Sequence, residues 1–366
     1  SSLVPVTTVS RKRGLFFHTG VARLPLKGKG PSIFRAESGR NLVEVAQLTA
    51  AEIDKKIKYS GGGLAQVGAM LFEWGSGYGL WCSGSVAKGD QATRRSTWVI
   101  RYNAAFERTE EFDVSPGRCW AVVGAGPGNE IAVALQDDSF TFVATDGKYH
   151  SEDVPPSPVK RRIGPYPNLP ALHFTRPGLA PDSQYFAIPH VDRGTLPVFD
   201  LTKWPPVIVH MFSFKVRNPP FNNLITLVSG KRLYVKQDRL TNIIAFDVGK
   251  TPPEKLWSKF LPGCDNANQT FLGYYKGYVV VPGKTNIYFV DEMTGQVQYR
   301  FCALEAPGKQ LKPTQTWIAK TIAAGMYNDF ISYAFFNGCL MAVTGEGTDP
   351  IYVWELPDEL KGEDFR

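Results

Sequence analysis

The chain has 366 residues, of which 43% are hydrophobic, 13% aromatic and 20% charged. This composition excludes a disordered chain, and no apolar run reaches the roughly 18 residues of a membrane-spanning helix, so a folded protein without a membrane span is expected. The formal charge is +7, and residues 1–60 carry all of it with eleven Lys or Arg against four acids, whereas the rest of the chain has 30 of each sign.

Residues 1–40 are predicted to be a basic arm ahead of a neutral body, since no acid precedes Glu37. Such a segment can condense on phosphates by releasing counterions, which predicts contact with RNA or acidic protein. A mitochondrial transit segment has the same Arg-rich, acid-poor character, and a solvated tail without a partner is the third interpretation. The predicted contact residues of the arm are Arg11, Lys12, Arg13, Arg23, Lys27 and Lys29.

Residues 41–366 are predicted to be one all-β domain that begins with a short helix. The helix is expected within residues 41–59, where Thr49 and Glu52 have the spacing of a capping box. After it, runs of four to eight residues rich in Val, Ile, Tyr, Phe and Trp recur between Gly, Asp, Asn and Pro. This alternation is typical of strands and turns.

The segment Val122 to Gly128, VVGAGPG, is similar to the phosphate-binding turn of dinucleotide enzymes. In that fingerprint the third glycine lies five residues after the first, and here the position holds Asn129. A helix should follow, but the next residues, IAVAL and FTFVATDG, predict a hairpin instead. A dinucleotide cofactor is therefore not expected.

Residues 154–189 contain nine prolines, too many for regular strands, and are predicted to be a loop for contact with a partner. The basic residues predicted to make that contact are Lys160, Arg161 and Arg162. Solvated loop charges are the alternative interpretation.

Nothing in the sequence predicts a catalytic, cofactor-binding or metal-binding residue. The five histidines have no paired ligand spacing, and no nucleophile elbow or P-loop occurs. The five cysteines are odd in number and widely spread, which favours a reducing, intracellular compartment over a disulfide framework.

Several strand-like segments end at or beside an acid. The acids are separated by 54, 47, 44 and 64 residues and are Asp146, Asp200, Asp247, Asp291 and Glu355. Tyr102 is placed to mark an earlier copy. Each acid is expected to end an inner strand and to accept hydrogen bonds from turn amides, with an aromatic residue of the next strand packed between sheets. The spacing fits β-propeller blades of about 40 to 50 residues.

Ile287 to Phe301, IYFVDEMTGQVQYRF, resembles the repeat of the quinoprotein-like propellers, with Asp291, Thr294, Gly295 and Tyr299 in the motif positions. The segment from Ile243 to Trp257 resembles a second copy without the Thr-Gly pair, and WD-type repeats are similar in geometry. The resemblance implies an all-β propeller of six to eight four-stranded blades, with seven favoured. Quinoprotein dehydrogenases show an adjacent cysteine pair, which is missing here, so the resemblance implies fold rather than function.

The interpretation that these features favour is a non-catalytic scaffold in a larger assembly of proteins, with the basic arm contacting RNA or acidic protein. The assembly is expected to be a ribonucleoprotein such as an organellar ribosome, and a mitochondrial location is favoured over a cytoplasmic one. The alternative is a propeller enzyme, glycoside-directed or quinone-dependent, with carboxylates such as Glu73, Asp90 and Glu130 meeting at a central mouth. A substrate receptor for ubiquitin ligation is a third possibility, but it would need an adaptor-binding helical module that the sequence lacks.

Overall fold

A computed structural model describes most of the chain. The described residues are 5–10, 14–19, 21–24, 32–36, 42–57, 64–88, 91–117, 119–136, 139–153, 178–179, 183–187, 195–213, 224–237, 241–264, 272–283, 286–302, 315–317, 330–336, 338–344 and 351–361. The chain divides into an N-terminal unit, residues 1–154, and a C-terminal unit, residues 155–365, and each is described by itself.

The N-terminal unit is built from antiparallel strands and one helix. Its elements are β1 (Pro5–Ser10), β2 (Gly14–Thr19), β3 (Val21–Leu24), β4 (Ser32–Ala36), β5 (Leu42–Gln47), α1 (Ala50–Ile57), β6 (Leu64–Trp74), β7 (Gly77–Lys88), β8 (Gln91–Tyr102), β9 (Arg108–Val114), β10 (Cys119–Ala125), β11 (Ile131–Gln136), β12 (Ser139–Ala144) and β13 (Tyr149–Asp153). They form three sheets, with the orders β1-β2-β4-β5, β3-β6-β7-β8-β9 and β10-β11-β12-β13.

The C-terminal unit contains strands only, apart from a 3₁₀ turn at Asp358–Leu360 among the residues described. The strands are β14 (Gly178–Leu179), β15 (Tyr185–Ala187), β16 (Thr195–Asp200), β17 (Val207–Ser213), β18 (Leu224–Ser229), β19 (Arg232–Gln237), β20 (Asn242–Asp247), β21 (Glu254–Phe260), β22 (Gly273–Tyr275), β23 (Tyr278–Pro282), β24 (Asn286–Asp291), β25 (Val297–Cys302), β26 (Gln315–Trp317), β27 (Phe330–Phe336), β28 (Cys339–Thr344) and β29 (Ile351–Glu355). Their sheets have the orders β15-β16-β17, β14-β18-β19-β20-β21, β22-β23-β24-β25 and β26-β29-β28-β27.

The segment predicted to be a basic arm contains β1 to β4. Its sheet continues past residue 40 into β5, and β3 pairs with β6. The domain boundary at residue 40 stays a prediction. Within residues 41–59, where a helix was expected, β5 comes first and α1 follows it.

The acids of the predicted repeat lie where the sequence analysis placed them. β16, β20, β24 and β29 are inner strands of their sheets and each ends at its acid, while β12 ends two residues before Asp146. The Asp291 carboxylate accepts hydrogen bonds from the amides of Met293 and Thr294, at 3.1 and 2.8 Å. The prediction that these carboxylates bind turn amides is confirmed here and at three further acids, Asp146, Asp200 and Asp247.

A β-bulge lies in the strand that follows the repeat turn in four sheets; in three of them the turn begins at an acid, and in the fourth it begins at Asn103. In β9, β17, β21 and β25 one residue has no partner across the ladder, and these residues are Thr109, Val209, Leu256 and Gln298. A bulge increases the local twist of a strand and redirects the side chain that follows it. The four bulges lie at the same ladder position relative to the turn that precedes each strand.

Consecutive sheets of each unit share apolar cores. One core combines buried residues of β6 to β8 with residues of β10 to β12, including Trp74, Trp81 and Val143. Another combines β23 and β24 with β28 and β29, where the fully buried Trp354 packs edge-on against Phe301. Neighbouring sheets are thus held together mainly by burial of their apolar faces.

Candidate functional site

The basic residues predicted to bind a partner lie almost entirely outside the described residues. Those outside are Arg11, Lys12, Arg13, Lys27, Lys29, Lys160, Arg161 and Arg162. Arg23 lies on β3, opposite Gln66 of β6. Their role as binding residues stays a prediction.

The glycine-rich segment after β10 leads into a hairpin. A 3₁₀ turn at Pro127–Asn129 follows β10, and β11 then pairs antiparallel with β12. This confirms the predicted hairpin, so the segment lacks the helix that a dinucleotide turn uses to bind pyrophosphate. Gly124 instead allows β10 to approach β6 closely, because a Cβ at this position would lie 1.8 Å from the carbonyl oxygen of Glu73.

Two of the three carboxylates that were candidates for a mouth site lie in adjoining segments. The amide of Gly75 donates to the carbonyl of Asn129 at 2.9 Å, which places Glu73 and Glu130 near one another along two joined segments. The Asn129 side chain donates to the Glu73 carboxylate at 3.5 Å. Asp90 lies outside the described residues. An enzymatic pair of carboxylates stays a prediction.

One opening in the described residues is a cleft of about 590 Å³ between α1 and the strands β8 and β9. We call it the α1 cleft. Its apolar floor consists of Leu48, Trp98 and Val114, all buried. Its remaining lining residues are polar, charged or proline, and they are Glu52, Lys55, Lys56, Ser96, Thr97, Arg108, Glu111, Asp113 and Pro116.

Local sequence fixes the position at which α1 begins. The amide of Thr49 donates to the Glu52 carboxylate at 2.7 Å, and the amide of Glu52 donates to the Thr49 hydroxyl at 3.3 Å. This is the reciprocal capping box expected from the spacing of the two residues. Ile53, fully buried, joins Leu48 in the core beneath the helix.

Ion pairs fasten α1 to β9. Lys56 bridges Asp113, at 2.6 Å, and Glu111, while Arg108 bridges Glu111 and Glu52. The cleft therefore has three cations and three anions along its rim, counting Lys55. Within the described part of the chain, Lys55 is the cation of this rim for which no ion pair is formed.

The network shifts the pKa values of Glu52, Lys56 and Arg108 in the direction that favours their charged forms. Burial alone would raise the pKa of Glu52, but hydrogen bonds from Thr49 and Arg108 outweigh it and hold that pKa below its ordinary value of 4.5. Burial would lower the pKa of Lys56, but Asp113 and Glu111 outweigh it and raise that pKa. Both Glu52 and Lys56 are therefore charged at neutral pH.

We expect α1 to loosen in acid. The lowered pKa of Glu52 means that its stabilising contribution is present above its ordinary value of 4.5 and is lost as the pH falls through the folded-state value. The pairs are partly exposed, so the loss should stay within about 1 kcal/mol. Hydrogen-exchange protection factors of the α1 amides, measured from about pH 7 to about pH 3.5, should fall in the wild type. A Glu52→Gln variant should start lower and change less, and equal pH dependence in both would contradict the assignment.

The described residues contain no group of three His, Cys, Asp or Glu side chains that could hold a metal ion. In the same part of the chain, no helix has the length and apolar character needed to cross a bilayer.

No known family model and no curated protein sequence matches the chain. Solved structures do match over nearly its whole length. The WD40 domain of Pan2 from Neurospora crassa is 11% identical, with a TM-score of 0.51, over 96% of this chain and 88% of that one. WD40 repeats build β-propellers. The fold is a β-propeller. Virginiamycin B lyase from Staphylococcus aureus is 10% identical, with a TM-score of 0.52, over 97% and 96% of the two chains.

The propeller assignment confirms the fold class predicted from the repeat. The number of blades stays a prediction, although the described strands form seven sheets. At this level of identity the likeness establishes fold alone, and the similar structures include a lyase as well as a WD40 domain. The function has to be argued from the residues of this chain.

Proposed function

We propose that the chain is a non-catalytic interaction subunit of a larger protein assembly and that its α1 cleft receives a segment of a neighbouring subunit. The α1 cleft supports this proposal because it is formed by α1, a helix that is not part of the repeated strand pattern. The helix stands outside the sheet repeat and is attached to β9 by side-chain ion pairs, which leaves an opening of about 590 Å³. An opening of this size accommodates a few side chains of a bound segment.

The chemistry of the lining indicates what the segment should offer. Trp98 and Leu48 give an apolar floor, which favours an aliphatic or aromatic anchor. The anions of the rim already face Lys56 and Arg108, whereas Lys55 is available to a carboxylate of the partner. The proposed occupant is thus a peptide segment with one apolar anchor and one acid.

The assembly is proposed to be a ribonucleoprotein such as an organellar ribosome. The support for this finer proposal is the location of charge, since residues 1–60 hold the whole net charge of +7. Basic residues of this region would neutralise phosphates without reading sequence.

Affinity purification of the full chain from its native cells is expected to recover a stoichiometric set of proteins together with RNA. The Lys55→Glu variant should recover at least about tenfold less of the protein that binds the cleft. Lys255→Glu, the same charge reversal at an exposed position of β21, is the matched control and should recover the wild-type set. Recovery of the chain alone would contradict the assembly, and equal recovery with Lys55→Glu would contradict the cleft.

The same experiment tests RNA contact with a triple variant, Arg11→Gln, Lys12→Gln and Arg13→Gln. Substitution is preferable to deleting residues 1–40, because β1 to β4 lie in that segment. The triple variant should release RNA at a lower salt concentration than the wild type, since fewer counterions are displaced. RNA retained to the same salt concentration would show that these residues do not bind it, whatever the outcome at the cleft.

A further inference from the structure

The C-terminal unit presents an unusual sheet edge at β17. β17 is the last strand of the sheet β15-β16-β17, and no strand of the described residues pairs with its outer side. A strand in this position exposes a row of backbone N–H and C=O groups that can pair with another chain. The edge is therefore able to accept a further strand.

β17 lacks the charges with which the equivalent strands are protected. Its sequence, VIVHMFS, contains no Asp, Glu, Lys or Arg. The corresponding strands β9 (RTEEFDV) and β21 (EKLWSKF) contain four and three such residues, and β13 (YHSED) contains two. Charged side chains on an edge strand normally prevent pairing with other chains. The equivalent strand β25 (VQYRFC) contains one, Arg300, so among the described strands β9, β13, β17, β21 and β25, each the last of its sheet, β17 is the one without a charge.

The outer surface of β17 is also apolar. Val207 and Met211 are 37% and 38% exposed, and Trp204, three residues before the strand, is 43% exposed. An exposed tryptophan beside an uncharged edge is the kind of anchor that dominates binding energy in protein interfaces.

Two contacts with the neighbouring sheet hold β17 in place. His210 Nε2 lies 2.7 Å from the carbonyl oxygen of Val248, so the ring donates to it, and Phe212 packs against Phe246 with ring centroids 5.1 Å apart. β17 is thus anchored to the neighbouring sheet while its edge faces outward, so little ordering is needed before a partner binds.

We propose that β17 is a strand-addition site, at which an extended and uncharged segment of another protein pairs with the free edge and covers Val207 and Met211. The absence of charge on β17 selects an uncharged partner, because a charged strand would lose solvation there without gaining an ion pair. The bulge at Val209 argues against a second copy of this chain. In a pair of identical chains, both β17 edges would carry the bulge, and the two irregularities would have to fit each other. A flexible peptide segment has to adapt to the bulge of only one edge.

The test uses a library of random twelve-residue peptides displayed on phage and selected on the full chain. Sequences with alternating apolar residues and no charges should be enriched, and a synthetic copy of an enriched peptide should slow hydrogen exchange of the β17 amides. The double variant Val207→Lys, Met211→Lys should weaken its binding at least about tenfold. The matched control, Leu256→Lys with Phe260→Lys, changes two exposed apolar residues of β21 and should leave affinity within about twofold.

Each other outcome overturns the proposal. No enrichment, or binding equally sensitive to both double variants, would show that β17 is not the site. Concentration-dependent dimerisation of the wild type that the β17 variant abolishes would assign the edge to a second copy of the chain. Circular dichroism checks the fold of the variants, and Lys55→Glu should bind the peptide normally, which separates this site from the α1 cleft.

Discussion

Replacing Trp257 by alanine is expected to lower the free energy of unfolding by about 3 kcal/mol. The indole of this half-buried residue lies against the backbone of Gly295 in the next sheet, where a Cβ would come within 2.6 Å of the ring. Its Nε1 donates to the carbonyl of Glu292 at 3.3 Å, and its ring lies 5.7 Å from that of Tyr234. The substitution would leave a cavity between the sheets and would remove one of the two hydrogen bonds that the Glu292 carbonyl accepts, the other coming from the Tyr234 hydroxyl at 3.2 Å. Urea unfolding of the full chain, followed by far-UV circular dichroism, measures the loss.

Leu256→Ala is the matched control for this prediction. Leu256 is the adjacent bulge residue, and it is 40% exposed. Its truncation should change the free energy of unfolding by no more than about 0.5 kcal/mol. A similar loss in both variants would mean that the docking of Trp257 between sheets is not what stabilises this region.

The role of Trp257 could be predicted because the repeat around it is local. The acid, the turn and the following aromatic lie within one short segment, so their spacing alone indicates a strand, a capped turn and a docking residue. The structure confirms that Trp257 packs between sheets. Its hydrogen bond reaches the carbonyl immediately after Asp291, the acid of the next copy.

The sequence pattern does not reveal the equivalent docking residue of β17, because that residue is a histidine, His210, rather than a tryptophan. The register of β17 places His210 where β21 has Trp257, in each case directly after the bulge. His210 donates to the carbonyl of Val248, again the residue after the acid of the next sheet. The repeat pattern calls for a tryptophan or another large aromatic residue at this position, and a histidine does not match it. Only the strand register reveals that His210 makes the hydrogen bond equivalent to that of Trp257.

An acid was also missing from one copy of the repeat. Tyr102 was chosen as its marker, but the capping side chain belongs to Asn103, whose Oδ1 accepts from the amides of Ala105 and Glu107, both at 2.9 Å. An asparagine oxygen can accept the same turn hydrogen bonds as a carboxylate. A search for acids alone therefore missed this turn.

The α1 cleft could be predicted only in part. The capping box fixes the start of α1 because its two partners are three residues apart. The pairs of Lys56 with Asp113 and of Arg108 with Glu52 join residues more than 50 positions apart, and both are ordinary surface charges in the sequence. No sequence periodicity relates these residues. The α1 cleft therefore depends on the tertiary packing of α1 against β8 and β9, which the local sequence does not indicate.

Gly124→Ala is expected to destabilise the chain by about 3 kcal/mol. The added Cβ would lie 1.8 Å from the carbonyl oxygen of Glu73, and a backbone oxygen within a sheet cannot move away as a flexible side chain could. β10 would have to separate from the end of β6, which disturbs the core around Trp74 and Val143. Thermal or urea unfolding of the full chain measures this effect.

Gly128→Ala, in the same glycine-rich segment, separates steric overlap from backbone strain. Gly128 has a φ of +64°, but the nearest atom to an added Cβ is Glu130 Cγ at 3.6 Å, so this variant should cost only about 1 kcal/mol. If the segment were a phosphate-binding turn, Gly124→Ala would change the free energy of unfolding little and would instead abolish nucleotide binding. If Gly124→Ala is as stable as the wild type, the close approach of β10 and β6 is wrong and this glycine must be explained by a ligand. If its loss clearly exceeds that of Gly128→Ala, the segment is a packing device between two sheets.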